Sequence, residues 1–311
     1  MSAAVGNAPV QFAPTPSQLD VAYSVCRHNA RSAARNFYYG FAVLPRPKRN
    51  SLSAVYVFMR RCDDIADDNT LSFHERRNKL AEWLDSVHRA LAGYPTDDAL
   101  LLALADTQRR YQIPIGLLDQ LAYGTAADLE REPTEAEQPG AVAPRYRTFD
   151  ELQQYCYGVA SVVGLVCIRI FGYRDPTAEA LAEKCGLAFQ LTNIIRDVKE
   201  DVAVGRLYFP EEDLAEFNLS PADFTAPNAS RIAPLLAKQA DRAREGYRAG
   251  EELIPLVNED SQPALWVLIT IYRRLLEKIA SRNYDVFSER VSLSLREKLT
   301  VLGKGYVKRL L

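Results

Sequence analysis

The chain has 311 residues, of which 48% are hydrophobic and 25% charged, an ordinary globular composition that excludes a disordered, collagenous or fibrous protein. With 38 Lys and Arg against 40 Asp and Glu the formal charge is −2, so no global field recruits nucleic acid, and any charge-based function must be local. Five cysteines (Cys26, Cys62, Cys156, Cys167, Cys185) without C-x-x-C spacing read as reduced, buried thiols in a cytoplasm, and three histidines without an H-x-x-x-H pair give little support to a zinc site.

The first 26 residues hold no Lys or Arg but do hold Pro9, Pro14 and Pro16. They lack the basic and apolar regions of a signal peptide, and residues 1–16 read as a frayed or disordered tail. From 17 to 311 helical signals dominate and predict one all-α domain. Pro47 suits the first turn of a long helix over 47–68, and Pro176, behind Asp175 as N-cap, the first turn of another over 176–203. Capping boxes at Ser72–Glu75, Thr148–Glu151 and Ser294–Glu297 mark three further starts. Residues 131–147, with three prolines and a glycine, form either a domain divider or a surface loop on a single core, and the single core is favoured. The longest uncharged run, 152–168, has 17 residues and two glutamines, short of the ~20 apolar residues of a membrane span; no transmembrane helix is expected. Strand signals are poor, and no Gly-rich loop follows an apolar strand, which argues against a Rossmann domain. The segment 294–311 carries Arg296, Lys298, Lys304, Lys308 and Arg309 against Glu297, with leucines interspersed. It reads as a solvated terminal helix whose basic amphipathic face also suits an anionic lipid surface.

Two acidic motifs carry the chemistry. In the first, Arg60-Arg61-Cys62-Asp63-Asp64-Ile65-Ala66-Asp67-Asp68, helical spacing puts Tyr56, Arg60, Asp63 and Asp67 on one face. Aspartates crowded this way repel one another. They are either a solvated helix end or a seat for a cation such as Mg²⁺, which takes hard oxygen ligands and bridges carboxylates to phosphates. In the second, Gln190, Asn193, Asp197 and Asp201 form a polar stripe, with Leu187, Leu191, Ile194, Ile195 and Val198 on the neighbouring faces. A stripe of this kind in a buried helix needs a metal or cationic partners, and an ion-pair network with Arg196 and Lys199 is the structural alternative. A third face, Tyr155, Val159, Ala160, Val163 and Gly164, is apolar and small. Its glycines serve close helix packing or leave a tunnel wall open.

The ordered pair DDIAD and NIIRDVKED, the latter followed by GRLYFP, resembles the squalene/phytoene synthase family of head-to-head prenyl transferases. FYYGFAVLP at 37–45, YCYGVASVVG at 155–164 and GLAFQLTNIIRD at 186–197 extend the resemblance. It implies an isoprenoid-synthase-type helical bundle around a central cavity, with Mg²⁺, or Mn²⁺, held by Asp63, Asp67, Asn193 and Asp197 and supported by Asp201. Diphosphate contacts are implied for Arg60, Arg196 and Arg290, helped by Gln190, Tyr56 and Tyr272, and for Arg35 or Asn36, since Ala33 offers no polar side chain there. Tyr155 and Tyr208 are implied as aids to proton transfer or cation stabilisation. The resemblance also turns the small-residue face into a tunnel wall, with Phe37, Phe41 and Phe171 as further lining.

The activity implied is Mg²⁺-dependent condensation of two allylic prenyl diphosphates. IFGYRDP at 170–176 and YFPEEDLAEF at 208–217 resemble hopanoid-pathway presqualene diphosphate synthases, which implies two C15 farnesyl diphosphates as substrates. Continuation to squalene would need NADPH, for which the sequence has no recognisable dinucleotide fingerprint. Condensation of two C20 geranylgeranyl diphosphates to phytoene is the alternative. A catalytically silent scaffold is the alternative of another class, and the intact aspartates argue against it. A terpene cyclase expects a different second motif. A cytoplasmic enzyme with peripheral membrane contact and no nucleic-acid partner is expected.

Overall fold

The computed structural model describes residues 13–33, 40–126, 129 and 142–310. The expectations for Arg35, Asn36 and Phe37, for most of the N-terminal segment and for 131–141 lie outside the described residues. Among the described residues the fold is carried by α1 (Pro16–Ala33), α2 (Arg46–Ala66), α3 (Phe73–Leu91), α4 (Ala99–Tyr111), α5 (Ile115–Thr125), α6 (Phe149–Cys156), α7 (Val162–Phe171), α8 (Thr177–Arg196), α9 (Val198–Ala203), α10 (Glu211–Glu216), α11 (Ala229–Leu253), α12 (Gln262–Ala280) and α13 (Leu295–Leu310). Sequence signals miss one short parallel ladder, β1 (Ala143–Pro144) with β2 (Arg206–Leu207), which ties the end of the Pro-rich segment to the chain beyond α9. A single apolar core holds residues from both sides of that segment, so it does not divide domains.

Local chemistry sets most helix starts. Ser72 Oγ accepts from Glu75 N–H (3.3 Å) while Glu75 Oε2 accepts from Ser72 N–H (2.8 Å), and Ser294 with Glu297 does the same at 3.2 and 2.7 Å. The box expected at Thr148 forms by half. Thr148 Oγ1 accepts from Glu151 N–H, but Glu151 Oε2 accepts from Arg147 N–H (2.6 Å), one residue before the cap, while Glu212 of α10 accepts from Phe149 N–H (2.7 Å) as a tertiary partner for the first turn. Asp175 caps α8 through Thr177 N–H at 2.9 Å, one residue later than expected relative to Pro176.

Two expected helices differ in their ends. The first stops at Ala66, with Asp67 at φ −90°, ψ 0°, and the second breaks at Asp197, φ −100°, ψ 13°, before resuming as α9. Both aspartates thus occupy the sparsely populated bridge region between helix and strand, where many active-site residues sit. Helices α6 and α7 are joined without a break by a π-helical turn, Tyr157–Ser161. The resulting helix Phe149–Phe171 is 23 residues long and apolar enough, by length and composition, to cross a membrane. That differs from the expectation drawn from its 17-residue uncharged core, because the helix extends past the charged residues at both ends. In the bundle more than half of its most apolar window is buried against protein.

The π turn packs against α5 and α8 with almost no side chain between. A Cβ added at Gly124 would lie 2.0 Å from Gly158 O, and one added at Gly186 would lie 2.6 Å from Ser161 Cα. All five cysteines are buried and unpaired, and burial pushes the thiols of Cys26, Cys62, Cys167 and Cys185 up to about 12.

A buried charge cluster fixes the segment that follows β2. The Asp213 side chain is 1% exposed and accepts from Lys238 Nζ (2.7 Å), Gln239 Nε2 (2.7 Å) and the Arg242 guanidinium, all on α11. Desolvation alone would raise this carboxyl, but these donors outweigh it and hold it below the usual range. Asp213→Ala leaves the Arg242 guanidinium without its anion and Lys238 with only Glu216, and should cost about 3–5 kcal/mol, measured by denaturant melts at neutral pH. Because the folded-state pKa is depressed, the carboxylate's contribution is present above the unfolded value of 3.8 and lost as pH falls below it. The gap between wild type and Asp213→Asn should therefore narrow in melts run at low pH.

Candidate active site: a helix-walled cavity with acidic motifs beyond one end

Lys48, in the first turn of α2, donates to the carbonyl of Phe171, the last residue of α7 (2.7 Å). Helix α8 starts shortly after that same point, so α2 and α8 leave one end of the bundle together. From Lys48 to Asp63 is fifteen residues, about 22 Å of helix, and from the first residue of α8, Thr177, to Asp197 is twenty, about 30 Å. The two acidic motifs are thereby carried to the same end.

Between them lies a cavity of about 160 Å³. Its wall is built by Met59 of α2, Val159 and Ala160 of the π turn, Val163, Gly164 and Phe171 of α7, Ala182, Gly186, Phe189, Gln190 and Asn193 of α8, and Leu265, Leu268 and Tyr272 of α12. The small-residue face therefore does line a cavity, and Phe171 is part of it. One of the expected lining positions is corrected: Phe41 is buried in the core and is not among the residues of the wall. Gly158, beside that face, takes the close-packing alternative, at the crossing with Gly124.

The polar stripe runs along the wall and beyond its end. Gln190 and Asn193 line the cavity; Asn193 hydrogen-bonds the hydroxyl of Tyr272, which burial pushes up to about 12, and Phe189 stacks on Tyr272 at 4.5 Å. The Asn193 Oδ1 atom is buried without a partner. One turn on, Asp197 is gripped by the neighbouring Arg196, whose Nε lies 2.7 Å from Oδ1, and by Arg290, whose Nε and Nη2 reach Oδ1 at 2.9 and 2.7 Å. Asp201 is half-buried beside it, and its carboxyl is raised to about 7, first by burial and then by the charge of Asp197. Across the cavity Arg60 pairs with Asp63 (2.8 Å) and Asp64 (2.6 Å), Tyr56 is partly buried one turn earlier, and Asp67 is exposed at the helix end.

Next to the cavity-lining segment stands an aromatic stack. Tyr155, one turn before Val159, stacks on Tyr208 at 5.3 Å, and Tyr146 stacks beside both at 5.5 and 6.4 Å. Burial and the neighbouring tyrosines raise the Tyr155 hydroxyl far above its ordinary value, and Arg145 lies over Tyr208 at 5.8 Å. Sequence reasoning misses Tyr146 and Arg145, which reach the stack through the β1–β2 ladder. It also misses Lys199 as an anchor: its Nζ donates to Phe287 O (2.7 Å) and holds down the loop that brings Arg290 to Asp197.

Among the described residues no three carboxylate, histidine or cysteine side chains converge tightly enough to hold an ion by themselves. Mg²⁺ is ordinarily held by one or two carboxylates together with substrate phosphates. An orphaned buried amide oxygen at Asn193 and a hard-oxygen donor set at Asp63, Asp67 and Asp197 fit that manner of binding.

The model of the squalene/phytoene synthase family matches residues 30–297. The chain is 36% identical over 290 residues to a phytoene synthase of Mycobacterium tuberculosis, covering 92% of this chain and 90% of that one. It is 35% identical to a 15-cis-phytoene synthase of Synechococcus elongatus, with 92% of each covered. The crystal structure of a ligand-bound dehydrosqualene synthase superposes with a TM-score of 0.80 at 26% identity, covering 94% of this chain and 97% of that one. A squalene synthase from Alicyclobacillus acidocaldarius superposes with a TM-score of 0.76, also at 26% identity, covering 88% and 98%. This chain carries its paired acidic motifs at one end of a helix-walled cavity in a single all-α bundle, and with the family model matched over most of its length the protein belongs to the squalene/phytoene synthase family of head-to-head prenyl transferases.

Proposed function

We propose that the enzyme condenses two C15 allylic diphosphates into a C30 cyclopropyl diphosphate, presqualene diphosphate. The observation that supports the chain length is the size of the cavity. Its volume is about 160 Å³, and Phe171 and Leu265 stand at the end remote from the acidic motifs. A small cavity closed at that end favours a tail of three isoprene units over one of four. A second reading, C20 substrates and phytoene as product, draws on the names of the relatives at 35–36% identity.

Enzymes of this family generally depend on a divalent metal. Asp63, Asp67, Asn193 and Asp197 would hold Mg²⁺, which when bound neutralises the charge developing on a departing diphosphate. The chain's own residues do the rest. Arg60, Arg196 and Arg290, now spent on aspartates, are placed to exchange them for phosphate oxygens, which guanidinium groups bind in pairs. Gln190, Tyr56 and Tyr272 orient the diphosphate end. As the C–O bond breaks, the apolar wall excludes the water that would quench an allylic cation. The second substrate's double bond attacks that cation, and loss of a proton closes the cyclopropane. Tyr155 and Tyr208 present aromatic faces for the cationic stage. The second diphosphate is retained, because its loss would leave a cation that needs a hydride or water to end the reaction.

Purified protein should release pyrophosphate from farnesyl diphosphate with Mg²⁺ or Mn²⁺ and not in chelator. Asp63→Asn and Asp197→Asn should each slow turnover by about a thousandfold, the equivalent of ~4 kcal/mol, with unchanged circular dichroism. Normal rates in both would remove the aspartates from the metal site. Mass spectrometry of reactions with C15 and C20 substrates decides the product: a C30 cyclopropyl diphosphate without NADPH is expected, whereas phytoene from C20 alone would install the second reading, and efficient squalene formation with NADPH would move the stopping point.

We also infer peripheral contact with anionic lipid through α13, where Leu295, Leu299, Tyr306 and Val307 are exposed beside Arg296 and Lys304. Co-sedimentation with anionic but not neutral vesicles, lost in Leu295→Glu/Leu299→Glu, is the expected result; equal sedimentation of wild type and variant would dismiss the contact.

A further inference from the structure

The Lys48 ammonium is nearly buried, its side chain 12% exposed, and its three protons are all spent. It donates to Phe171 O at 2.7 Å, Asp260 Oδ1 at 2.5 Å and Ser261 Oγ at 2.9 Å. The first acceptor is the last carbonyl of α7, where a cation also meets the negative end of the helix dipole. The other two stand immediately before α12. Ser261 Oγ lies 3.2 Å from the same Phe171 carbonyl, and Asn258 N–H donates to Gly172 O at 2.8 Å. One ammonium therefore joins the start of α2, the end of α7 and the start of α12.

Energy alone does not account for a lysine here. Much of what a buried ion pair gains is lost in desolvating the charges, and apolar side chains of similar volume often hold such a junction as well or better. A charge with directed hydrogen bonds adds position. The residues whose positions it sets are those that end the cavity: Phe171 carries the bonded carbonyl and is 1% exposed, and Leu265, one turn after Ser261, lines the same wall.

We propose that Lys48 is a positioning residue that fixes the depth of the cavity by pinning the ends of α7 and α12, and thereby limits the length of isoprenoid tail the enzyme accepts. This rests on the reading of the cavity as the seat of the substrate tail, but not on whether the native substrate is C15 or C20. Without the pin, α7 and α12 keep only the Ser261–Phe171 and Asn258–Gly172 bonds, Phe171 and Leu265 are held less firmly, and the longer tail gains room.

The test is a competition between farnesyl and geranylgeranyl diphosphates, with kcat/KM for each measured on wild type, Lys48→Met and Phe171→Ala. In Lys48→Met the ratio of C20 to C15 use should rise about tenfold, the scale on which apolar pockets discriminate by size, and Phe171→Ala should move it the same way. If Phe171→Ala moves the ratio while Lys48→Met lowers both substrates in parallel, Lys48 is structural and the proposal is overturned. If Phe171→Ala leaves the ratio unchanged, the cavity is not the seat of the tail, and the reading beneath the proposal falls with it. Should Lys48→Met not fold, Asp260→Asn, which removes the paired charge at constant volume, is expected to shift the ratio in the same direction; no shift there overturns the pin.

Discussion

Helix α8 can carry a polar stripe through an apolar interior because its neighbours come close enough to hold it by backbone. Gly186 leaves room for the Ser161 backbone, and Gly246 of α11 sits where an added Cβ would be 2.4 Å from Lys184 O. Ser161 Oγ then donates to Glu183 O at 2.8 Å. With its rear clamped in this way, the helix is free to present Gln190 and Asn193 to the cavity and Asp197 beyond it. A looser contact would leave those polar groups in partly wet, shifting surroundings, where neither a fixed donor geometry nor a dry cavity could persist.

The same clamp separates two kinds of chemistry along one axis. Toward Phe171 the cavity wall is hydrocarbon and aromatic ring, and toward Asn193 it becomes amide, hydroxyl and finally paired charge. An amphipathic substrate whose tail is apolar and whose head is anionic matches that gradient without any side chain moving far. The arginines are already at the charged end, and their present aspartate partners keep them extended there. In the proposed reaction the ion pairs would be a waiting arrangement, in which each guanidinium has a carboxylate that a metal could take from it.

Much of this is legible in the residues. Local signals fix the helix starts at Ser72 and Ser294, and helical spacing alone puts Gln190, Asn193 and Asp197 on one stripe and Val159, Val163 and Gly164 on one face. What spacing cannot give is the end of a helix that tertiary partners impose. The bend at Asp197 has no proline or glycine to announce it, and the bond that Glu212 accepts from Phe149 depends on a segment 63 residues away. Arg290 is attached to the second motif by family resemblance in the sequence and by a loop in the structure, with Lys199 as the anchor that no local pattern marks. Phe41 shows the opposite limit: an aromatic beside a functional segment is apolar enough for the tunnel and is used for the core.

The π turn at Tyr157–Ser161 has a consequence for the lineage as well as for the fold. It holds one residue more than an α-helical turn would, so a single deletion within it leaves an unbroken α-helix and costs no hydrogen-bonded turn. Because the turn absorbs that residue locally, the helix on either side would keep its phase, with Tyr155 on Tyr208 and Val163 and Gly164 in the wall, and the change would fall on the bulge itself, where Gly158 meets Gly124. The crossing with α5 is therefore adjustable apart from the segments that flank it, and a length change of one residue at this turn is the smallest genetic event that would retune one without the others.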